Sequence, residues 1–425
     1  MSSNTDHRSR TLFLGAILHA FTHVYQVALL PLYFLIRDDL ELTGVGQSTS
    51  LVTVMMIAYF VPSYFAGILA DKFSKKHLLA IGLAINGLGF IGLAESGSYH
   101  MALASVIIAG LGGSLFHPAA TSLIARLYPT GTGRALGLLG IGAAVGFLIG
   151  PIYAGWRANM LEPMIGPSAW RKPVFELGLA GLIMSAIFHR FAAEDKVAAH
   201  ADDSSKPVVP MFPTPALWAL FLCAAFFFSL RDFTGFAMGS LGSLFLQKAH
   251  GFDTKLTGST LSVIFLAASI STPMFGGLSD RGRIRWTLLV LGVAAVLVFV
   301  FPHFPAEWAF APYFFYGFFF MGSYPMVEAA LMEAVPDDVR GRVFGVFITI
   351  GGGLGSLAPW ILGEWVKNLG EPAVGNPAAF YPIYGVLTIT LLLSLLGLPF
   401  LHAIRKRERN LEKHPEASAA AEKTT

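Results

Sequence analysis

The chain has 425 residues, of which 54% are hydrophobic and only 13% are charged, with a formal net charge of +3. Soluble domains carry about 25% charged residues, so this composition predicts an integral membrane protein. The cations fall mainly in the predicted loops and tails, which gives no indication of nucleic-acid binding. Cys223 is the single cysteine, so one chain can build neither a disulfide framework nor a thiolate metal cluster. We expect no cofactor and no bound metal.

Twelve apolar runs are long enough to cross the hydrocarbon core of a bilayer, which takes about 20 residues. They lie at 11–36, 47–70, 77–95, 101–126, 134–156, 174–190, 215–246, 256–279, 286–302, 309–334, 343–366 and 378–402. The chain is therefore predicted to divide into a short N-terminus (1–10), a six-helix half (11–190), a polar linker (191–214), a second six-helix half (215–402) and a tail (403–425). The tail lacks apolar periodicity, and we expect it to be a solvated or disordered end.

The charge distribution predicts the orientation of this bundle. An even number of spans places both chain ends on one side, and most Lys and Arg residues outside the spans fall on that same side. Because positively charged loops stay on the cytoplasmic side, we expect both termini to be cytoplasmic and the protein to lie in the cytoplasmic (inner) membrane.

Two short motifs recur half a chain apart. Gly67 and Asp71 reappear as Gly276 and Asp280 at an offset of 276 − 67 = 209, each time where an apolar run ends in a cluster of cations. The pair Gly133-Arg134 reappears as Gly341-Arg342 at an offset of 341 − 133 = 208. A duplicated membrane bundle with matched polar loops is typical of transporters.

The twelve spans, the central linker and the loop from Gly67 to Lys76 resemble the major facilitator superfamily. The run from Gly146 to Gly155 resembles a motif of its drug and proton antiporters, and His19 to Gln26, Gly112 to Pro118 and Glu333 to Pro336 are similar to fosmidomycin-resistance-type efflux proteins. This resemblance implies an all-α membrane protein with twelve transmembrane helices in two pseudo-symmetric six-helix halves. The chain departs from that efflux type at His23 and Ala119, where acidic residues are expected.

The resemblance also implies a set of gating residues. Asp71 would face the start of the eleventh span near Arg342, and Asp280 would face the start of the fifth near Arg134, closing the cytoplasmic side. Gly150 and Pro151 form either a hinge or a static packing surface. The predicted gating residues are Gly67, Asp71, Lys72, Arg134, Gly150, Pro151, Gly276, Asp280, Arg281 and Arg342.

Ionisable residues inside the bilayer are costly and indicate function by default. His19 and His23 are four residues apart, so they share one face of the first helix, close to Gln26. We interpret them as proton or substrate groups, and the alternative is a pair of neutral rings bonded to backbone carbonyls. The pair is a weak metal signal because no carboxylate or thiolate lies nearby in the sequence.

Arg231 and Asp232 lie in the middle of the seventh span, where a guanidinium costs at least about 2.5–3.5 kcal/mol. Chain neighbours point about 100° apart on a helix, so Asp232 need not neutralise Arg231. If Arg231 faces a substrate cavity between the two halves, its planar guanidinium group is suited to bind a carboxylate or phosphonate. The alternative is a structural ion pair with another helix, formed with Glu328.

A proline preceded by a histidine in one half and by a tyrosine in the other occupies matching positions in the two halves. His117-Pro118 in the fourth span and Tyr324-Pro325 in the tenth are predicted to break their helices near the site. Glu328 lies one turn beyond Tyr324 and is a candidate proton carrier.

These features favour a proton-coupled secondary transporter that exports a small amphipathic or anionic compound by antiport and alternating access. The alternative is a proton-coupled symporter that imports an organic anion. No nucleophile or metal constellation in the sequence favours a membrane enzyme. The expected partners are the substrate, protons and the lipid bilayer, and we expect a monomer.

Overall fold

The computed structural model describes residues 2–193, 210–280, 282–336 and 339–413. Within these ranges every regular element is a helix. The α-helices are, in chain order, Ser2–Val27 (α1), Tyr33–Asp39 (α2), Val45–Phe60 (α3), Ser63–Lys72 (α4), Lys75–Ala94 (α5), Tyr99–Ser114 (α6), Phe116–Leu127 (α7), Thr132–Ile165 (α8), Arg171–Phe191 (α9), Pro215–His250 (α10), Thr254–Ser279 (α11), Arg283–Val300 (α12), Phe310–Ala334 (α13), Arg340–Gly355 (α14), Ala358–Leu369 (α15), Tyr381–Ser394 (α16) and Gly397–Lys413 (α17).

These helices group into twelve consecutive segments, in agreement with the predicted all-α bundle. Segments 1, 2, 4, 11 and 12 are pairs of helices separated by short breaks, namely α1/α2, α3/α4, α6/α7, α14/α15 and α16/α17. By length and apolarity, 10 stretches of the described residues can cross a membrane. One of them, Thr132–Phe191, contains both α8 and α9, while α13 adds a further helix of 25 residues.

Polar caps mark several helix starts at the loops. Ser74, Ser98, Thr214 and Asp253 each accept a hydrogen bond from the backbone three residues on, at the beginnings of α5, α6, α10 and α11. These side chains satisfy backbone N–H groups that the first turn of a helix leaves without a partner. These four helices therefore begin at defined polar residues.

The proline predictions are confirmed in one half and wrong in the other. The fourth segment is interrupted at Leu115, immediately before His117 and Pro118, but α13 continues unbroken through Pro325. Similarly, α8 continues through Pro151. Neighbouring helices can satisfy the backbone groups that such a proline frees, so a membrane helix need not end there.

The structure describes only part of the predicted tail and part of the predicted linker. Residues 403–413 of the predicted solvated or disordered tail belong to α17, which extends to Lys413, so the disordered alternative does not hold for them. Most of the predicted linker, residues 194–209, lies outside the described residues, as do 414–425.

Helices α1–α9 and α10–α17 meet at one face of the bundle, which we call the distal face. It is the face opposite the chain ends, at which α3 and α11 begin. Hydrogen bonds join the two sets of helices there. They include Tyr33 Oη with Ser240 Oγ (3.0 Å), Thr254 Oγ1 to the Gly155 carbonyl (3.0 Å) and Trp360 N to Thr53 Oγ1 (3.1 Å).

Glycine is required for this distal closure. A Cβ at Gly258 would overlap the Pro151 carbonyl, and a Cβ at Gly155 would overlap the Thr254 carbonyl. Backbone oxygens cannot rotate aside as a side chain can, so α8 and α11 approach this closely only because both positions lack a side chain.

The opposite face, which carries the chain ends, is open, and we call it the terminal face. Added Cβ atoms at Gly67, Gly137, Gly277, Gly341 and Gly345 would meet nothing within 4 Å. At these positions of the terminal face the helices therefore do not pack closely against a neighbour, unlike α8 and α11 at the distal face. The structure describes a bundle that is closed distally and accessible from the terminal side.

Candidate functional site

The glycine-rich face of α8 positions the first histidine. Cβ atoms at Gly142 and Gly146 would overlap the backbone of α1 at Ala16 and Ala20. The two backbones therefore pack directly against each other, and His19 Nδ1 lies 2.9 Å from the Leu139 carbonyl. A carbonyl only accepts, so this nitrogen donates.

His19 and His23 meet through their other ring nitrogens. Their Nε2 atoms are 3.1 Å apart, and both side chains are buried. His117 joins them from α7, and its ring centroid lies 5.2 Å from that of His19 and 5.7 Å from that of His23. His117 is exposed, and one ring nitrogen from each of the three residues lies within 4.8 Å of the others.

Gln26 and aromatic rings surround this three-histidine cluster. Gln26 Oε1 is 2.9 Å from His23 Nδ1, while its amide nitrogen is buried without a hydrogen-bond partner among the described residues. Phe116 stacks on His19 at 4.7 Å, and Phe147 lies 4.2 Å from His23. The structure therefore brings His19, His23, Gln26 and His117 together, while their proton- or substrate-binding roles stay predictions.

A second cluster lies in the C-terminal helices around Arg231. Its Nε and Nη2 atoms donate to Asp232 Oδ1 at 3.0 and 2.8 Å. Arg231 is only 2% exposed, and its Nη1 atom has no hydrogen-bond partner within the described part of the chain. This contrasts with the expectation that a neighbour 100° away need not neutralise Arg231. The long arginine side chain curves back far enough to reach the short carboxylate.

Residues from α13 and α14 complete this guanidinium cluster. The Tyr324 ring lies 4.1 Å from Arg231 Cζ, a distance at which the π-face attracts the cation. Asp232 Oδ2 lies against Gly351, where a Cβ would overlap it. Glu328 interacts electrostatically with both Arg231 and Asp232. No ion pair within 4.0 Å joins it to Arg231 among the described residues, so the proposed Arg231–Glu328 pair is not formed.

Phenylalanine and tyrosine rings connect the two clusters. Tyr59 lies 6.2 Å from His117 and 5.0 Å from Phe60, which in turn lies 6.1 Å from Phe236. Phe236 is one turn beyond Asp232 on α10. An apolar wall with a histidine cluster at one end and a guanidinium at the other suits an amphipathic ligand.

Four of the predicted charged gating residues are exposed in this conformation. Asp71, Lys72, Arg134 and Asp280 are exposed. Arg342 is half-buried, and Arg281 lies outside the described residues. A gate on the terminal face is expected to be apart when that face is open, so the gating roles stay predictions.

Glu333 connects three helices at the terminal face. Arg283, in the second copy of the loop motif, donates to Glu333 Oε1 at 2.5 Å, and Arg405 lies 3.3 Å from Glu333 Oε2. This carboxylate therefore ties α12, α13 and α17 together at the terminal face. In the sequence Arg283, Glu333 and Arg405 are three separate charges. Only the fold brings them close together.

Comparison with known proteins places this geometry in a family. The family model described as "Major Facilitator Superfamily" matches residues 12–359. The fosmidomycin resistance protein of Escherichia coli (strain K12) is 25% identical over 400 residues, covering 92% of this chain and 95% of that protein. The multidrug resistance protein MdtG of Proteus mirabilis (strain HI4320) is 28% identical over 330 residues, covering 74% of this chain and 78% of that protein.

The fold is also found among solved structures. A bacterial homologue of the human lysosomal transporter Spinster, solved in an inward-facing and unoccupied conformation, superposes with a TM-score of 0.74 at 16% identity. The match covers 94% of this chain and 97% of that one. The chain belongs to the major facilitator superfamily and is a multi-pass membrane transporter rather than an enzyme.

Proposed function

We propose that this transporter exports a small amphipathic or anionic compound, carrying a phosphonate- or carboxylate-like group, in exchange for protons. It works by alternating access in the cytoplasmic membrane, as a monomer with both termini in the cytoplasm. The terminal face is then the cytoplasmic face, and the conformation described here is the one that loads substrate from the cell interior.

The buried guanidinium of Arg231 carries this proposal. Two of its three nitrogens are bound to Asp232, and the third, Nη1, is buried and has no hydrogen-bond partner among the residues that the structure describes. A buried donor of a charged group that lacks a hydrogen bond costs more than about 1–3 kcal/mol, so the site gains from any ligand that supplies an acceptor. A carboxylate or phosphonate oxygen is the strongest such acceptor.

The curated relatives support export and the chemistry of the anion. The relative that aligns over 400 residues is named for resistance to fosmidomycin, which is a small phosphonate. The Proteus relative is named for multidrug resistance. Both names describe resistance to a toxic compound, which export of that compound would explain.

The Arg231–Asp232 contact favours one alternative, proton-coupled uptake of an organic anion. An anion that takes Arg231 away from Asp232 leaves a buried carboxylate without its cation. Protonation of Asp232 would remove that cost, so anion and proton would bind together, as in a symporter. The sign of the proton exchange therefore separates the two functions.

Ligand binding tests the substrate class. We expect fosmidomycin and other small phosphonates to raise the thermal stability of the purified protein, in a concentration-dependent way, because they bind the folded state. Neutral esters of the same compounds serve as matched controls and should have much less effect. Equal stabilisation by an anion and its neutral ester would contradict the anion site.

A further inference from the structure

The contact between His19 and His23 is unusual because of the nitrogens that it brings together. His19 Nδ1 donates to a carbonyl, so Nε2 of the neutral ring carries a lone pair. His23 Nδ1 lies 2.9 Å from Gln26 Oε1 and is likewise the donor, which leaves its Nε2 with a lone pair. With these tautomers the two lone-pair nitrogens lie 3.1 Å apart, a repulsive contact that a cation bound by both would relieve.

We propose that His19, His23 and His117 bind a late first-row divalent cation such as Zn²⁺. Zinc–nitrogen bonds are about 2.0–2.1 Å long, so two ligands in a tetrahedral site lie about 3.3–3.4 Å apart. The 3.1 Å between the two Nε2 atoms is close to this separation. Imidazole nitrogen is a preferred ligand of zinc, copper, iron and nickel ions.

The residues behind the two buried rings have the arrangement of a metal site's supporting shell. Metal-bound histidines almost always donate their second ring N–H to a carbonyl, carboxylate or water, which fixes the ring and its tautomer. The Leu139 carbonyl does this for His19 and the Gln26 side chain for His23. Both rings are therefore held with Nε2 directed toward the same point.

His117 is the mobile third ligand. Its ring nitrogen lies within 4.8 Å of the other two, so it must approach by about 1.5 Å to complete a site with zinc–nitrogen bonds of the usual length. The side chain is exposed and follows the helix break at Leu115, which leaves it room to move. The fourth position then faces the opening and takes water or a donor atom of a ligand.

All three histidines lie on α1 and α7, so the site is contained in the N-terminal helices. A movement of these helices against α10–α17 would not break it. The inference does not depend on the proposed anion site, because its three ligands are not residues of the Arg231 cluster.

Two arrangements without metal also account for the short contact. A proton shared by the two Nε2 atoms would make the pair a cation, and reversal of the Gln26 amide would let His23 donate from Nε2 to His19. Neither arrangement confers affinity for a divalent cation. Metal binding therefore distinguishes them from the proposal.

Titration of the full-length, tag-free protein with Co²⁺ tests the site. We expect one equivalent to bind with the visible absorption bands of a low-coordinate cobalt ion and to be displaced by Zn²⁺. The variants His19→Ala, His23→Ala and His117→Ala should each abolish the bands. The exposed pair His77 and His189, with ring centroids 5.1 Å apart, supplies the matched control, and His77→Ala should retain them.

A further variant guards against loss of folding. His117→Cys places a thiolate at the exposed position and should add a sulfur-to-cobalt charge-transfer band in the near ultraviolet, which a purely structural role of His117 would not produce. Absence of cobalt bands in the parent, bands that persist without His19 or His117, or loss of bands in His77→Ala would each overturn the proposal.

Discussion

The guanidinium of Arg231 donates two hydrogen bonds to the carboxylate of its own chain neighbour, Asp232, at 3.0 and 2.8 Å. Neutralisation within one helix leaves the facing helices α13 and α14 free to supply Tyr324, Glu328 and Gly351 to the same cluster. Arg231 can therefore give up its hydrogen bonds to Asp232 for a bound anion without breaking a hydrogen bond between helices.

The first prediction concerns the fork of Arg231. Lysine keeps the positive charge but replaces the planar fork with a single point of donation, so Arg231→Lys should insert and fold yet bind the anion less well. We expect a loss of about 1.5–3 kcal/mol, the range for hydrogen bonds to charged groups, measured as a rise in Kd.

Arg157→Lys is the matched control for this substitution. Arg157 also forms a carboxylate pair, at 3.0 Å from Glu176, but it lies on α8 and is partly exposed. Its substitution should leave binding unchanged. If Arg231→Lys binds the anion as tightly as the parent, Arg231 serves helix packing alone.

The second prediction compares how much Asp232 and Glu328 each contribute to the stability of the protein. Asp232→Asn leaves a buried guanidinium without its counter-charge, which costs about 3–5 kcal/mol. Glu328→Gln removes no ion pair and should change stability much less. Thermal unfolding of both variants in the same detergent measures the difference, and equal losses would contradict the assignment of Asp232 as the partner of Arg231.

The third prediction gives Glu328 its functional test. Glutamine cannot exchange a proton, so Glu328→Gln should retain substrate binding and lose transport driven by a proton gradient. The measurement compares binding with gradient-driven flux in reconstituted vesicles. Unchanged gradient-driven flux would remove Glu328 from the proton pathway.

The fold and much of the site follow from the sequence for identifiable reasons. Apolar runs of sufficient length predict the helices, and the cost of a buried guanidinium singles out Arg231 before any neighbour is known. The repeated loop motifs at Asp71 and Asp280 predict the duplication. Each of these signals is local or repeats at a fixed offset, so one chain is enough to read it.

The partners of these residues could not be read in the same way. His117 approaches His19 only because α1 and α7 pack together, and Leu139 approaches because α8 presents glycines to α1. The Arg231–Asp232 bond depends on side-chain rotamers rather than on helical phase. Such contacts depend on tertiary packing, which the spacing of residues along one chain does not encode.

The fourth prediction concerns the distal closure. In Gly258→Ala the new Cβ overlaps the Pro151 carbonyl, so the distal face should open more often. Single-cysteine variants in a Cys223→Ser background, placed near Thr53 and labelled by a thiol reagent, measure the exposure. Gly140→Ala is the control, since its Cβ meets nothing within 4 Å, and equal labelling of both variants would contradict the closure.

The fifth prediction concerns Asp71. It is exposed while the terminal face is open, so Asp71→Asn should leave substrate binding intact in this conformation and lower turnover, which needs the face to close. Terminal-face cysteines should then stay accessible for longer. If turnover and labelling are both unchanged, Asp71 has no gating role. The charges of its loop would then only set the orientation of the protein in the membrane.

Exchange of substrate for protons is the central claim, and vesicle transport tests it most directly. Reconstituted vesicles with an acidic lumen, carrying a pH-sensitive dye, are given a small phosphonate such as fosmidomycin outside. Antiport predicts that the phosphonate accumulates in the lumen while the lumen becomes more alkaline, and that the protein-free vesicles show neither change. Accumulation that requires the acid on the outside, with acidification of the lumen, would contradict export by proton exchange and establish symport.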